Sequence, residues 1–365
     1  MRKIGKAIIV ILTVIVSICF LLTSLAPYLN PRQFWWIGFA GLASPYLILL
    51  LVFASIFWLI VKPRYALLSL LALIVGYKQI SVVFAWHMDA GFNKQKEESN
   101  LRIVDWNVES FNGLTKNKNT KRLIRNDVAA SILKLQPDVI CLQEFNHAYT
   151  QGPQADNLSL FTSTHPYYYF SRDYKRNTGG YYSGCIIFSR YPIIDSGKFK
   201  YPKAESLIFI DLLKGKDTIR IYTTHLQSFK FKKDDYDDIE KIKEQDEALS
   251  ASRNIFKKMI PAFKRRGTQA DIVKTMTGKN RFPSVICGDF NDVPNSYTYF
   301  RIKGDRQDAF LKKDFGIGRT FIDIAPTLRI DYILPDNQFE VSQFDMVDED
   351  LSDHIMLVAD LRLKQ

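Results

Sequence analysis

The sequence predicts a mixed α/β domain that follows a group of membrane-spanning helices. Three apolar stretches fill the first 86 of the 365 residues, and after about residue 100 short β-branched and aromatic runs alternate with longer polar or helical stretches. The composition, 47% hydrophobic and 13% aromatic, supplies enough apolar material for a large core. A chain that is mainly disordered is therefore excluded.

The apolar stretches cover residues 7–29, 34–61 and 65–86, and each is long enough to cross the ~30 Å hydrocarbon layer as a helix. Arg2, Lys3 and Lys6 precede the first stretch, and Lys62 and Arg64 lie between the second and the third. Because cations near membrane spans stay on the cytoplasmic side, three crossings place everything after residue 86 outside the cytoplasmic (inner) membrane. We therefore expect a multi-pass anchor with an extracytoplasmic domain.

The first stretch also fits a cleaved signal peptide loosely, because a basic start and an apolar run precede Ser-Leu-Ala at residues 24–26. The two remaining spans would still leave the large domain outside the membrane. The side on which the domain lies is therefore the same under both interpretations.

The net charge of +11 is divided unevenly along the chain. Residues 1–90 contain seven cations and one anion, whereas the remaining 275 residues contain 42 cations and 37 anions. More than half of the excess thus belongs to the membrane segment, and the soluble part has a balance of only +5. A strongly polyanion-binding surface is not implied.

The polar segment 91–100 (GFNKQKEESN) is typical of a linker, and residues 101–365 are expected to form the soluble domain. A charged stretch between Phe231 and Lys279 has apolar residues at helical spacing, which predicts one or two surface helices. Strands are predicted at LRIVDWNV, PDVICLQE, GCIIFSR, TIRIYTTHL, PSVICGDFN, RIDYIL and HIMLVADL.

Many of these predicted strands end in a polar residue, although packing of the hydrophobic core does not require a polar side chain there. Strand ends gathered at one edge of a sheet can direct their side chains into one cleft. The set of carboxylates, carboxamides and imidazoles suits hydrolysis by an activated water with a hard cation such as Mg²⁺. Its members are Asn107, Glu144, His225, Asp289, Asn291, Asp331, Asp353 and His354.

The motifs WNV, PDVICLQE, SGCIIFSRYPI, THLQS, CGDFNDVPNS, RIDYI and SDH occur in this order between residues 100 and 363. The set resembles the endonuclease/exonuclease/phosphatase superfamily, the metal-dependent phosphoesterases related to deoxyribonuclease I. GDFN followed by RIDYI and a terminal SDH is the most specific part of the resemblance. The resemblance implies a four-layer α/β/β/α sandwich in which two mixed sheets pack face to face between helices.

The resemblance implies Mg²⁺ as the cofactor, with Mn²⁺ as a possible replacement. Glu144 is similar to the principal metal ligand of the superfamily. Asn107 is similar to the neighbouring amide that holds a metal-bound water or a phosphate oxygen, and Asp353 is expected to complete the metal site.

The same resemblance implies the catalytic roles. Asp289 corresponds to the residue that orients or deprotonates the attacking water, and Asn291 to the donor that binds the phosphoryl oxygen. His354 resembles the imidazole at the scissile phosphate, with Asp331 as its orienting carboxylate. His225 resembles the second active-site histidine, which contacts the substrate.

The substrate is left open by the sequence, because fold and core site do not choose among phosphate esters. Nucleic acid, a lipid phosphoester, an inositol phosphate and a lipid-linked pyrophosphate all remain, and the membrane anchor favours a substrate held near the outer face. A nuclease acting on extracytoplasmic DNA or RNA and a catalytically silent binding protein are the alternatives. The presence of Glu144, Asp289, His225 and His354 favours an enzyme.

The remaining histidines and the cysteines match no chemical motif. The cysteines have no paired short spacing, so we expect buried free thiols rather than a disulfide framework or a zinc site. We expect the unmatched histidines at the surface or at an interface. The residues are Cys19, Cys141, Cys185 and Cys287, and His87, His147 and His165.

Overall fold

The computed structural model of the chain describes residues 2–87, 91–112, 118–177, 180–231, 233–244 and 248–364. The chain divides into two compact units. One contains Met1–Phe84, Phe229–Ala270 and Asp292–Arg301; the other contains Ala85–Ser228, Asp271–Asn291 and Ile302–Gln365.

The helices of the described residues are α1 (Arg2–Thr23), α2 (Ile37–Val61), α3 (Ala66–Val75), α4 (Tyr77–Val83), α5 (Lys118–Lys134), α6 (Ser159–Thr162), α7 (Lys233–Glu244), α8 (Ala248–Thr277), α9 (Tyr297–Lys303) and α10 (Ala309–Lys313). The strands are β1 (Ala85–Trp86), β2 (Asn100–Asn107), β3 (Val139–Ala148), β4 (Tyr167–Phe170), β5 (Tyr174–Lys175), β6 (Tyr181–Ser189), β7 (Ile193–Lys200), β8 (Ser206–Lys214), β9 (Asp217–His225), β10 (Ser284–Asp289), β11 (Phe315–Gly316), β12 (Asp331–Pro335), β13 (Phe339–Val347) and β14 (Met356–Leu363).

The first unit contains apolar helices that are long enough to cross a membrane. Two stretches, Ile4–Thr23 and Ile37–Val61, qualify as single straight spans. The predicted first span continued to residue 29, but α1 ends at Thr23, shortly before Pro27, which has no N–H to continue a helix. The two apolar helices are compatible with membrane anchoring.

The third predicted span is not one straight helix. Pro63–Val75 and Tyr77–Val83 together are apolar enough to cross, but they are bent by 67° at Gly76. A side chain at Gly76 would collide with the ring of Phe20 on α1, so the glycine allows α1 and the bend to approach closely. The chain therefore has two, or with the bent pair three, candidate spans.

Segments from later in the chain pack on the N-terminal part of α2 within this unit. Gly38 lies against the ring of Phe263 on α8, and the Ser44 hydroxyl accepts a hydrogen bond from the Asn295 amide at 2.9 Å. Arg266 and Asp292, both buried, form an ion pair at 3.4 Å. The first unit is therefore built from the apolar helices together with two later segments, Phe229–Ala270 and Asp292–Arg301.

The second unit contains two large sheets. One has five strands in the order β12-β10-β9-β8-β7. The other has seven, in the order β13-β14-β2-β3-β6-β4 with β5 paired to β6. Each sheet mixes parallel and antiparallel pairs, because β10 runs parallel to β9 and β2 runs parallel to β3.

The two sheets pack face to face through an apolar core. Ile103 and Val139 of the larger sheet share one buried cluster with Ile210, Ile221 and other residues of the smaller sheet. A second cluster covers the opposite face of the larger sheet, where Ile132 of α5 and Phe161 of α6 pack on its strands. The predicted fold class, an α/β sandwich of the deoxyribonuclease I type preceded by apolar helices, is confirmed.

Two smaller predictions need correction. His147 and His165 are buried rather than at the surface, and the ring of His165 contacts the Pro137 carbonyl at 3.0 Å. The cysteines are free, as predicted, but Cys19 is exposed on the apolar helix α1, whereas the other three are buried. The error for the two histidines arises because a lone histidine has no spacing that separates a buried position from an exposed one.

Candidate active site

Three of the predicted site residues form a row across the smaller sheet. Asp289 at the end of β10 is paired in register with Asp331 on antiparallel β12 and with His225 on parallel β9. Because directly opposed residues of neighbouring strands point to the same face, the three side chains lie side by side. The expected convergence of strand ends therefore occurs.

The backbone around Asp289 requires the residues of the GDFN motif. Gly288 has φ of +134°, and a Cβ there would collide with the Thr224 carbonyl of β9. Only glycine accommodates this close approach and this conformation. Asn291 has φ of +53°, and its backbone N–H donates to Asp289 Oδ1 at 2.7 Å. The backbone of the GDFN motif thus curves so that the N–H of Asn291 donates to the Asp289 carboxylate.

The larger sheet contributes Asn107 at the end of β2 and Glu144 inside β3, which continues to Ala148, so the prediction that Glu144 ends its strand is wrong. Ser352 fixes the end of β2 by donating its hydroxyl hydrogen to the Asn107 carbonyl at 2.7 Å. Glu144 lies at an irregularity in the pairing of β3 with β6, between Leu142 and Phe145, and has φ of +53°. Bulges of this kind redirect side chains beside active sites.

Asp289 is the centre of the site. Its side chain is 1% exposed, and its Oδ2 accepts hydrogen bonds from the Asn107 amide at 3.1 Å and the Asn291 amide at 3.0 Å. The Nε2 atoms of His225 and His354 lie 3.4 Å and 3.8 Å from the same oxygen. Burial alone would raise the pKa of Asp289, but the two imidazoles lower it below its ordinary value.

His354 is held by Asp331. Its Nδ1 lies 2.9 Å from one carboxylate oxygen of Asp331 and 3.1 Å from the other, and Phe321 packs against the ring. Burial would lower the pKa of His354, but the charges of Asp331 and Asp289 overcome it and raise the pKa to about 10. The pairing implied by the family resemblance is thus present, and it leaves Nε2 as a donor facing Asp289.

His225 has a second acidic neighbour that sequence reasoning missed. Its Nδ1 lies 3.7 Å from Glu205 Oε1, and its Nε2 lies 3.8 Å from Glu144 Oε1. Burial would lower the pKa of His225, but Glu205, Asp289 and Glu144 raise it to about 10. Glu205 lies between β7 and β8 in the segment PKAES, where a charged residue carries no motif that would have identified it.

Glu144 and Asp353 form the more exposed side of the site. Their side chains are 37% and 23% exposed. Burial and the charges of Glu144, Asp323 and Asp289 raise the pKa of Asp353 to about 6, against the opposing charge of His354. An accessible excess of carboxylate charge with an amide nearby is the kind of donor set that Mg²⁺ prefers, since this ion binds few carboxylates and keeps its waters. These residues therefore fit the implied metal.

The tightest groups of metal-binding atoms among the described residues are different from the predicted set. The ligand atoms of Asp289, Asp331 and His354 lie within 4.8 Å of one another. The His354 Nδ1 atom already lies 2.9 Å from an Asp331 oxygen, and the raised pKa of His354 favours the charged ring, which donates from both nitrogens. This group is therefore better described as an acid–base cluster than as a metal site.

The second group contains Asp105, Cys141 and Cys287, all buried. The Gln143 amide joins Asp105 of the larger sheet, at 2.7 Å, to Thr223 of the smaller sheet, at 2.9 Å. Burial, together with the charge of Asp331, raises the pKa of Asp105 well above its ordinary value. The raised pKa favours the neutral form of Asp105, and its position inside a strand motif gave no sign of this environment.

Comparison with known proteins identifies the family. The model of the endonuclease/exonuclease/phosphatase family matches residues 106–354, which is more than half of the chain. The protein belongs to this family and is a hydrolase that acts on phosphoester bonds. A second model, a domain of unknown function, matches residues 6–83.

Solved structures support the same fold. The chain is similar to an endonuclease/exonuclease/phosphatase from Beutenbergia cavernae, at 20% identity and a TM-score of 0.52 over 73% of this chain and 72% of that chain. It is also similar to the human Nocturnin catalytic domain with bound sulfate anion, at 17% identity and a TM-score of 0.51 over 73% of this chain and 94% of that chain. No curated protein gives a match.

The first prediction concerns the imidazole held by Asp331. A group whose pKa is raised to about 10 stays charged until the pH rises through that value, so an activity that needs charged His354 should fall there. Replacing Asp331→Asn removes a charge that holds the proton, and the alkaline limb of kcat/KM should move to lower pH. A pH profile of the variant, with exposed Asp217→Asn as the control, measures the shift. An unchanged limb in Asp331→Asn, together with inactive His354→Ala, would contradict the coupling.

Proposed function

We propose that this protein is a membrane-anchored, metal-dependent phosphoesterase that hydrolyses a phosphodiester, phosphomonoester or pyrophosphate by an activated water at the outer face of the membrane. The observation that carries the proposal is the buried carboxylate Asp289, which lies between two charged imidazoles and two carboxamides. Such a group of donors around one acceptor suits a phosphoryl group, whose oxygens gain charge during transfer.

The cation would be held by Glu144, with Asp353 and the Asn107 side chain beside it. Bound there, Mg²⁺ or Mn²⁺ would supply charge that stabilises the phosphoryl oxygens. Glu144 would be the first ligand because it is the most exposed carboxylate of the group, and it lies at the irregularity in the pairing of β3 with β6. The Asn107 Oδ1 atom already accepts the Glu109 N–H at 3.1 Å, which fixes the orientation of the amide.

The protein groups have distinct tasks. Asp289 orients the attacking water, and its lowered pKa favours orientation over full removal of a proton. In the free site, the amides of Asn107 and Asn291 both donate to Asp289 Oδ2. A phosphoryl oxygen arriving beside Asn291 would compete for this donor, so substrate binding would free a lone pair of Asp289 for the water.

The two imidazoles stabilise charge on the other phosphoryl oxygens. His354 would present Nε2–H, because Asp331 occupies Nδ1 at 2.9 Å. His225 would act from the neighbouring strand, with Glu205 as its positioning residue on the Nδ1 side. Both rings carry raised pKa values, so both can donate at neutral pH.

The outer-face location rests on the path of the bent pair α3–α4. The Gln79 amide donates to the Ser24 carbonyl at 3.2 Å, and Gly76 lies against Phe20, so α4 lies at the C-terminal end of α1. A re-entrant segment would instead return to the Lys62 end of α2. The contacts therefore support three crossings, and the positive-inside rule then supports an extracytoplasmic domain.

Another contact within the group of apolar helices favours a retained first span. The Trp58 indole N–H donates to the Thr13 hydroxyl at 2.9 Å, which joins α2 to α1 inside the group of helices. Removal of α1 as a signal peptide would leave this buried donor without its partner, at a cost of about 1–3 kcal/mol. We therefore propose that α1 stays in the mature protein.

A nuclease is the second candidate, and a group of tyrosines and cations favours it. Arg172 lies 5.6 Å from the ring centroids of both Tyr149 and Tyr182, and Arg176 lies 4.8 Å from that of Tyr181. Tyr182 and Tyr181 pair with the part of β3 that continues beyond Glu144. Aromatic rings and guanidinium groups next to a phosphoesterase site could stack bases and bind backbone phosphates.

The second prediction tests the metal-dependent activity. The purified full chain should hydrolyse a generic phosphodiester with Mg²⁺ or Mn²⁺ and lose activity with chelator, because the carboxylates need a cation to approach a phosphate. Glu144→Gln should weaken the metal dependence without altering thermal unfolding, whereas Glu340→Gln, in an exposed ion pair with Arg362, should behave as wild type. Activity that survives excess chelator would reject the proposed site. Parallel assays with plasmid DNA, sphingomyelin and undecaprenyl pyrophosphate distinguish the substrate classes.

The third prediction concerns topology. A reporter that is active only outside the cytoplasm, fused after Asn100, should be active, and a cytoplasmic reporter at the same position should be silent. A fusion after Lys62 should give the opposite pattern and serves as the internal control. Strong cytoplasmic activity from the Asn100 fusion would mean that α3 and α4 do not cross together.

A further inference from the structure

Three cations meet at the end of the apolar helices that lies opposite to Ser24. Lys6 of α1 has its ammonium group 4.8 Å from the ring centroid of Tyr65, and the Arg64 guanidinium lies 4.9 Å from the same centroid. Arg64 also donates to the Tyr65 hydroxyl at 3.0 Å. Lys62 directly follows α2, and it lies close enough to Lys6 and Arg64 for these cations to lower its pKa. The Tyr65 ring therefore contacts two cations, Lys6 and Arg64, and a third cation, Lys62, lies near them.

Among the residues that the structure describes, these three cations have no acidic partner. The first acidic residue of the chain is Asp89, and among the described residues no carboxylate pairs with Lys6, Lys62 or Arg64. The contact with Lys6 and the charge of Arg64 lower the pKa of Lys62, as expected when like charges share a space. The C-terminal carbonyls of α2 offset only part of this repulsion.

We propose that Lys6 and Arg64, which contact Tyr65, form together with Lys62 a binding site for the phosphate group of an anionic phospholipid. A phosphate placed among these groups would accept hydrogen bonds from two ammonium groups and a guanidinium and would relieve their mutual repulsion. The site concerns the anchor and does not depend on the proposed catalytic function.

The surroundings favour a lipid phosphate over a free phosphate ion. Ile4, Ile60 and Leu67, each two residues along the chain from Lys6, Lys62 or Tyr65, are 68%, 80% and 59% exposed, so exposed apolar side chains that acyl chains could cover begin close to the site in the sequence. Cations at the border of an apolar band lie at the depth of lipid phosphates, and basic pockets between membrane helices on the cytoplasmic side bind anionic headgroups. A phospholipid would contact both the three cations and the exposed apolar side chains, whereas a free phosphate ion would contact only the cations.

The test compares lipid binding by the full chain in mild detergent, measured by native mass spectrometry. Phosphatidylglycerol should remain bound, whereas phosphatidylcholine should be lost. The double variant Lys6→Gln/Lys62→Gln should bind phosphatidylglycerol about fivefold more weakly for each lysine removed. The control Lys216→Gln/Lys279→Gln removes the same charge from exposed positions elsewhere and should bind as wild type.

Each other result overturns the proposal. Equal retention of the two lipids, or undiminished binding by Lys6→Gln/Lys62→Gln, would show that these cations form no phosphate site. Displacement of phosphatidylglycerol by millimolar inorganic phosphate would assign the site to a free anion. Folding of the variant is checked by thermal unfolding: phosphatidylglycerol should raise the Tm of the wild type and of the control, but not that of the double variant.

Discussion

The burial of the Asp289 carboxylate is the constraint on which the rest of the site depends. A buried, unpaired charge costs several kcal/mol, so the fold must supply partners for it. It does so from separate elements: Asn107 from the larger sheet, His225 from β9, Asn291 from the following turn and His354 from the segment before β14. Each partner is itself fixed by further contacts, so that the site is organised before any ligand binds.

Much of this arrangement could be predicted from the sequence because β9 and β10 end, and the antiparallel strand β12 begins, at the same sheet edge, which brings their polar residues together. The register of Asp331, Asp289 and His225 is the direct result. Glu205 could not be found in this way, since it reaches His225 from a connection between strands. The bend at Gly76 was also not predicted, because the number of apolar residues in a segment does not reveal whether its helix is straight.

The candidate active site and the cation group near Tyr65 differ in the sign of their unbalanced charge. In the site, acidic residues hold two imidazoles in their charged form, and the carboxylates Glu144 and Asp353 remain accessible for a cation. In the anchor, cations gather around Tyr65 without a carboxylate among the described residues. Both places have an unbalanced charge that a ligand of opposite sign would neutralise, a cation in the first and a phosphate in the second.

The most direct test of the central claim is the turnover of Asp289→Asn on a phosphodiester with saturating Mg²⁺, beside wild type and the exposed control Asp217→Asn. The substitution preserves the shape of the side chain but removes the charge that lies next to both imidazoles and that we propose orients the water. Turnover should fall by at least ~10² while thermal unfolding stays cooperative, the usual range for a lost acid–base or transition-state group. A variant within about tenfold of wild type would show that Asp289 does not organise the chemistry.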